Sequence, residues 1–206
     1  MKKIVYTIAM VGATLLGLTS CQRYLDITPT GVVIPTTAEE FRAMLVKAYS
    51  VYPQHKARID FRSDEVFLNT ASSSASYVKD IYIWNDSAPD PSTDAYHYSE
   101  FYTSIFYSNY IIQNATDLLS AGAEKNQILG EAYALRALNY FELANMYSDV
   151  YTGSNGSVES IPIITEPNLE KSFPKSTLGQ VYNQIFADIA QAEALLNVNK
   201  YDAGYN

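Results

Sequence analysis

Residues 124–147 constrain the fold more than any other stretch, because their helical pattern is apolar around much of its circumference. Ala134, Ala137, Leu138, Phe141 and Ala144 form one stripe at helical spacing, and Leu135, Leu143, Met146 and Tyr147 widen it. A helix that is apolar on several sides must be covered by several neighbours. Alanines at repeated positions let those neighbours approach closely. Packing of this kind builds helix–turn–helix arrays, although no clean period of about 34 residues recurs along the chain.

Further helices are legible on either side. Thr37 and Glu40 form a capping box, in which the hydroxyl serves one end amide and the carboxylate reaches back to another. Phe41, Met44, Leu45, Ala48 and Tyr52 then share a face, and Pro53 stops the helix. A second helix is predicted from about Tyr98 to Leu119, striped by Phe101, Ile105, Ile112, Ala115 and Leu119, with Gly122 as its stop. Ser176 or Thr177, with Gln180, caps a last helix whose buried face is read as Ile185, Ile189, Ala192 and Leu196. Between helices, 54–95 is irregular. Ser72, Ser73 and Ser74, and the run from Asp86 to Thr93 with Pro89 and Pro91, are loop chemistry, while Tyr77–Trp84 is read as a short extended piece. Tyr151–Ser160 is a polar loop, and Ile161–Ile164 a second extended segment. The expected class is all-α: a tetratricopeptide-like helical array with a loop-rich excursion and no closing element after Asn197.

The N-terminus carries an export pattern. Lys2 and Lys3 precede an apolar run from Ile4 to Leu18, and Leu18, Thr19 and Ser20 lead into Cys21, the one cysteine. The run is too short for a comfortable membrane span. The reading is a lipoprotein signal over 1–20, cleavage before Cys21, and lipid on that residue. Pro29, Gly31 and Pro35 then keep 21–35 extended as a tether, leaving 36–206 as one helical domain.

Charge and chemistry narrow the function. Loss of 1–20 removes two lysines and leaves a net charge of about −10 with no basic run, which opposes a nucleic-acid surface. With Cys21 acylated, no thiol remains for a disulfide or a thiolate metal site. His55 and His97 are far apart in sequence, and neither sits beside a serine or a second ligand at metal spacing. No phosphate loop, zinc-protease helix or nucleophile elbow is present. The expectation is a protein that is not an enzyme and carries neither cofactor nor metal.

Binding chemistry is better represented. The eighteen tyrosines suit half-buried surfaces, either as helix packing or as platforms for sugars or peptides. Trp84, the one tryptophan, is followed by Asn85 and Asp86 beside a Pro/Ser/Asp-rich loop. An indole face can take the CH groups of a sugar while neighbouring amides bond its hydroxyls; alternatively, Trp84 fills the packing between the first two helices. Arg62 and Asp64 pose the same choice, between a ligand-facing pair and an ion pair that fixes a loop. Arg136, inside the most apolar helix, is read as structural, its head bonded to a turn or carboxylate.

Together, several segments resemble the SusD/RagB family of nutrient-binding lipoproteins. Cys21 followed by Tyr24, Leu25, Asp26 and Pro29 is similar to the family's lipidated tether. Arg62-Ser63-Asp64-Glu65 resembles a polar motif after its first helix, and Tyr102, Ile105 and Asn109 match the spacing of the next. Glu131, Leu135, Arg136, Tyr140, Phe141 and Leu143 resemble its most recognisable stretch, and Val181-Tyr182 through Asp188 and Glu193 its following helix. The resemblance implies a lipoprotein on the outer face of a bacterial outer membrane. It would bind glycans or oligosaccharides through aromatic recognition and deliver them to a SusC-like TonB-dependent transporter. Peptide uptake, and a helical scaffold contacting only protein partners, are the alternatives. Family members usually continue for a few hundred residues beyond a helix like 177–196, so the chain is expected to represent the N-terminal portion of the family's architecture.

Overall fold

A computed structural model describes residues 34–53, 58–93 and 98–197 of the chain. The export signal, Cys21, most of the tether, His55 and His97 lie outside the described residues. The described elements are five α-helices and one small sheet: α1 (Ala38–Ser50), α2 (Ala75–Tyr82), α3 (Tyr98–Leu118), α4 (Ala123–Tyr147), β1 (Glu159–Pro162), β2 (Lys175–Thr177) and α5 (Leu178–Leu195). A 3-10 turn, Asp60–Arg62, precedes α2. The expected helical class is observed. Among the described residues, no helix is long and apolar enough to cross a membrane.

Both capping boxes form as the sequence indicates. Thr37 Oγ1 accepts from Glu40 N while Glu40 Oε2 accepts from Thr37 N at 3.0 Å, and Thr177 pairs with Gln180 in the same way. The backbone hydrogen bonds to Glu40, first from Thr36 and then from Thr37, hold its carboxyl below the usual range. Two elements differ from the sequence expectation. Tyr77–Trp84 is not extended: α2 covers most of it, burying Ala75, Asp80 and Ile81 on one side. The partial alternation misled because Tyr77 and Ile83 are surface residues here. Gly122, expected to stop α3, instead sits at the N-cap of α4.

α4 is the shared wall of two cores. Phe41, Leu45, Ala48, Ile111 and Ala115 of α1 and α3 pack on Ile128, Ala132 and Leu135. Phe101, Ile105, Ile161, Leu178, Val181 and Ile185 pack on Ala137, Tyr140 and Leu143. Each large side chain fully buried here contributes about 1.5–3 kcal/mol. The buried face of α5 is Leu178, Val181, Ile185, Asp188 and Ala192. Ile189 and Leu196, expected inside, are exposed, as are Leu138 and Phe141 opposite them on α4. Asp188 replaces Ile189 in the interior because it has a buried partner there.

That partner is Arg136. Its Nε and Nη2 donate to the two carboxylate oxygens of Asp188 at 2.8 and 2.6 Å, and its Nη1 donates to Asn109 Oδ1 at 2.7 Å. Gln184 Nε2 also donates to Asp188 Oδ1. Asn109 Nδ2 passes the connection on to the carbonyl of Ile164, and Tyr140 Oη both donates to Ile164 O and accepts from Ile164 N. Tyr102 Oη donates to Pro162 O. The residues that carried the family resemblance thus clamp the extended segment 161–164 onto α3, α4 and α5. The short antiparallel sheet adjoins this clamp, with Glu159 opposite Thr177. Close by, Gly179 N donates to Gly156 O, and a Cβ on Gly179 would lie 3.0 Å from that oxygen, so the close approach favours glycine.

Candidate ligand-binding site

The end of α2 is closed in an unusual way. Trp84 N donates to Ile81 O and Asn85 N to Asp80 O, the paired bonds of a helix end whose penultimate residue is left-handed. Trp84 takes that conformation, with φ of 59°, and it is the one described non-glycine residue with positive φ. Glycine is the usual occupant, since a Cβ there costs about 1–2 kcal/mol. The indole is nevertheless 63 % exposed, so packing does not account for it. Trp84 does not fill a gap between helices.

The following loop is anchored by Asp80. Its carboxylate accepts from Asn85 Nδ2 at 3.0 Å, Asp90 N at 2.6 Å and Thr93 Oγ1 at 2.8 Å. These bonds, led by that of Asn85, hold the Asp80 carboxyl below the usual range. Asn85 Nδ2 also donates to Ala88 O, so its amide is committed to the loop. The anchored loop presents Asp86, which forms an ion pair with Arg62 Nη2. The Arg62 guanidinium lies 4.8 Å from the centre of the Trp84 ring, within cation–π range.

These groups border a cavity of about 720 Å³. Ile59, Arg62 and Ser63 line it from the 3-10 turn, Trp84 and Asp86 from the end of α2, and Asn145, Met146 and Tyr147 from the last turn of α4. Tyr98 meets Tyr147 edge-on with ring centres 5.0 Å apart and lies 4.9 Å from Tyr102, so the aromatic wall continues onto α3. A smaller recess of about 200 Å³ shares Arg62, Asp86 and Tyr147 and includes Asn85. Of the four residues singled out in the sequence, the structure brings Trp84 and Arg62 to the main cavity and Asn85 to its neighbour. Asp64 is exposed and is not among the described residues lining either, while Arg62 forms an ion pair with Asp86. Asn145, Met146 and Tyr147 were not foreseen as site residues: the sequence pattern assigns Met146 and Tyr147 to the apolar packing surface of α4 and gives Asn145 no role. Among the described residues, no group of three His, Cys, Asp or Glu side chains is placed to hold a metal ion.

The arrangement suits a neutral polar ligand. An exposed indole and apolar Ile59 and Met146 offer area, and Arg62, Asp86, Ser63 and Asn145 offer hydrogen bonds around it. A SusD-like family model, described as starch-binding associating with outer membrane, matches residues 23–205. The SusD-like protein P38 from Formosa agariphila is 28% identical over 198 residues, covering 90% of this chain and 36% of that protein. A putative sugar binding protein from Bacteroides vulgatus superposes with a TM-score of 0.65 at 21% identity, over 82% of this chain and 40% of its own. A laminarin binding SusD-like protein superposes at 0.58 with 25% identity, over 75% and 33%. The chain therefore spans between a third and two fifths of each of these relatives.

Proposed function

Because this chain belongs to the SusD-like family, we propose that it binds neutral glucan oligosaccharides at the Trp84 cavity as part of a nutrient-uptake system. The observation that carries this reading is an exposed tryptophan held in a backbone conformation that favours glycine, beside a cavity with hydrogen-bonding walls. Strain retained at a surface aromatic points to a binding role for the ring. The family's description as starch-binding and the laminarin-binding neighbour support a glucan as the cargo. The mechanism is capture and release, with no bond made or broken. Lipid on Cys21 would hold the protein at the outer membrane's outer face, and the 21–35 tether would let it swing above a SusC-like TonB-dependent transporter. One acyl chain binds membranes only marginally, so this arrangement needs the several chains of a bacterial lipoprotein. Mass spectrometry of the membrane-extracted protein checks the acylation, and co-purification from detergent checks the transporter.

Trp84→Gly separates binding from folding. The substitution relieves the left-handed strain and is expected to leave stability unchanged or raise it by up to about 1 kcal/mol. Binding of starch- and laminarin-derived oligosaccharides should fall by about tenfold or more, the scale of a lost aromatic stack and its desolvated area. Calorimetric titration and thermal melting read the two effects. A variant that melts lower and binds as well as the parent would remove the site from the proposal.

A further inference from the structure

We infer that Asp86 sets the charge class of the ligand, admitting neutral sugars and turning away acidic ones by discharging Arg62; this rests on the glycan reading of the cavity. Among the described residues that line the cavity, Arg62 and Asp86 are the charged side chains, and their charges offset one another. The two are not equally accessible. The Asp86 side chain is 68 % exposed and that of Arg62 20 %, so an entering ligand meets the carboxylate before the guanidinium. Arg62 is further occupied by the Trp84 ring, which takes up part of its cationic face. A guanidinium left alone beside an aromatic ring would favour a uronate or sulfate ester. Paired with Asp86, it presents a guanidinium whose charge is already offset. Meanwhile the carboxylate oxygens accept from sugar hydroxyls and repel anions. The net charge of −8 on the whole chain adds a longer-range field of the same sign. The anchoring of 85–93 by Asp80 keeps the carboxylate at this position, since Asp86 follows directly on the Asn85 amide that Asp80 holds.

The test uses the whole chain and its single tryptophan as reporter, since Trp84 emission changes when a ligand covers the ring. Wild type, Asp86→Asn and Asp86→Glu are titrated with a laminarin oligosaccharide and with an oligogalacturonate of equal length. Wild type should prefer the neutral oligomer. Asp86→Asn removes the charge and should raise the acidic-to-neutral affinity ratio by about two- to fivefold, the range set by exposed ion pairs. That gain should shrink at about 0.5 M salt, where exposed charges are screened. Asp86→Glu keeps the charge and should keep the wild-type ratio. A ratio that Asp86→Asn does not move, or a wild type that takes both oligomers equally, overturns the inference while the glycan site stands. If Trp84→Gly, titrated beside wild type by calorimetry because it lacks the indole, binds the neutral oligomer as tightly as wild type does, the site reading fails and this inference falls with it.

Discussion

Asp188→Ala is expected to lower the unfolding free energy by about 3–5 kcal/mol, as removal of one partner from a buried ion pair does. Both side chains are almost wholly withdrawn from water. Without Asp188, the Arg136 guanidinium would keep its bond to Asn109 Oδ1 but lose both carboxylate acceptors, leaving a buried charge without compensation. Gln184 would lose an acceptor as well. Domains of this size carry roughly 5–15 kcal/mol in total, so the loss could consume most of the margin. Urea unfolding followed by circular dichroism measures it as a lower midpoint with little change in slope. The exposed pair of Lys171 and Glu166 provides the contrast: Lys171→Ala should cost less than about 1 kcal/mol. Replacing both charges, as Arg136→Met with Asp188→Leu, should recover part of the loss, though Asn109 Oδ1 and Gln184 Nε2 would each lose a partner. A loss below about 1 kcal/mol for Asp188→Ala would mean the pair is not buried as described. Consequences for binding follow from position, since Asn145, Met146 and Tyr147 lie two to three turns along the same helix from Arg136.

The helical order of the chain was legible because its signals are local. Capping boxes at Thr37 and Thr177 and the broad apolar pattern of 124–147 each concern residues within a few turns. What periodicity could not deliver was the inside of α5. Ile189 is more apolar than Asp188, and only the guanidinium arriving from α4, 52 residues away, decides which of them is buried. The same limit applies at the site. Trp84 and Arg62 stood out by chemistry, but the pairing of Arg62 with Asp86, 24 residues on, was not legible in the sequence. Asn145 and Tyr147 join them because the end of α4 happens to face the end of α2. Nor could the sequence show that Trp84 occupies a glycine conformation. Partial alternation over Tyr77–Trp84 suggested a short extended piece, whereas the backbone bonds back to Asp80 and Ile81 close a helix. The motifs of the resemblance proved to be mostly architectural: Asn109, Arg136, Tyr140 and Asp188 hold the scaffold, and the cavity residues lie at its rim.

Alkaline solution should unfold this protein through its buried tyrosines. Burial is the leading cause in each case: it pushes Tyr52 up to about 12, with Glu142 adding to the shift, and it raises Tyr102 and Tyr140 further. In the unfolded chain the same phenols ionise near the ordinary value of 10.0. The sign follows from which state holds the proton. Below pH 10 both states are protonated and these groups do not make stability depend on pH. Above it the unfolded chain sheds protons that the folded one keeps, so stability falls as pH rises towards the folded values. Each phenol that remains protonated in the fold subtracts about 1.4 kcal/mol per pH unit in that window. Tyr102 and Tyr140 are the strongest contributors, because their hydroxyls donate to Pro162 O and Ile164 O and ionisation would also break those bonds. Tyrosinate absorbance should rise in two phases: a first with helicity intact, then the buried set together with the loss of far-ultraviolet circular dichroism. A single phase near pH 10, with all eighteen tyrosines ionised and helicity unchanged, would show that segment 161–164 is not clamped as the structure has it.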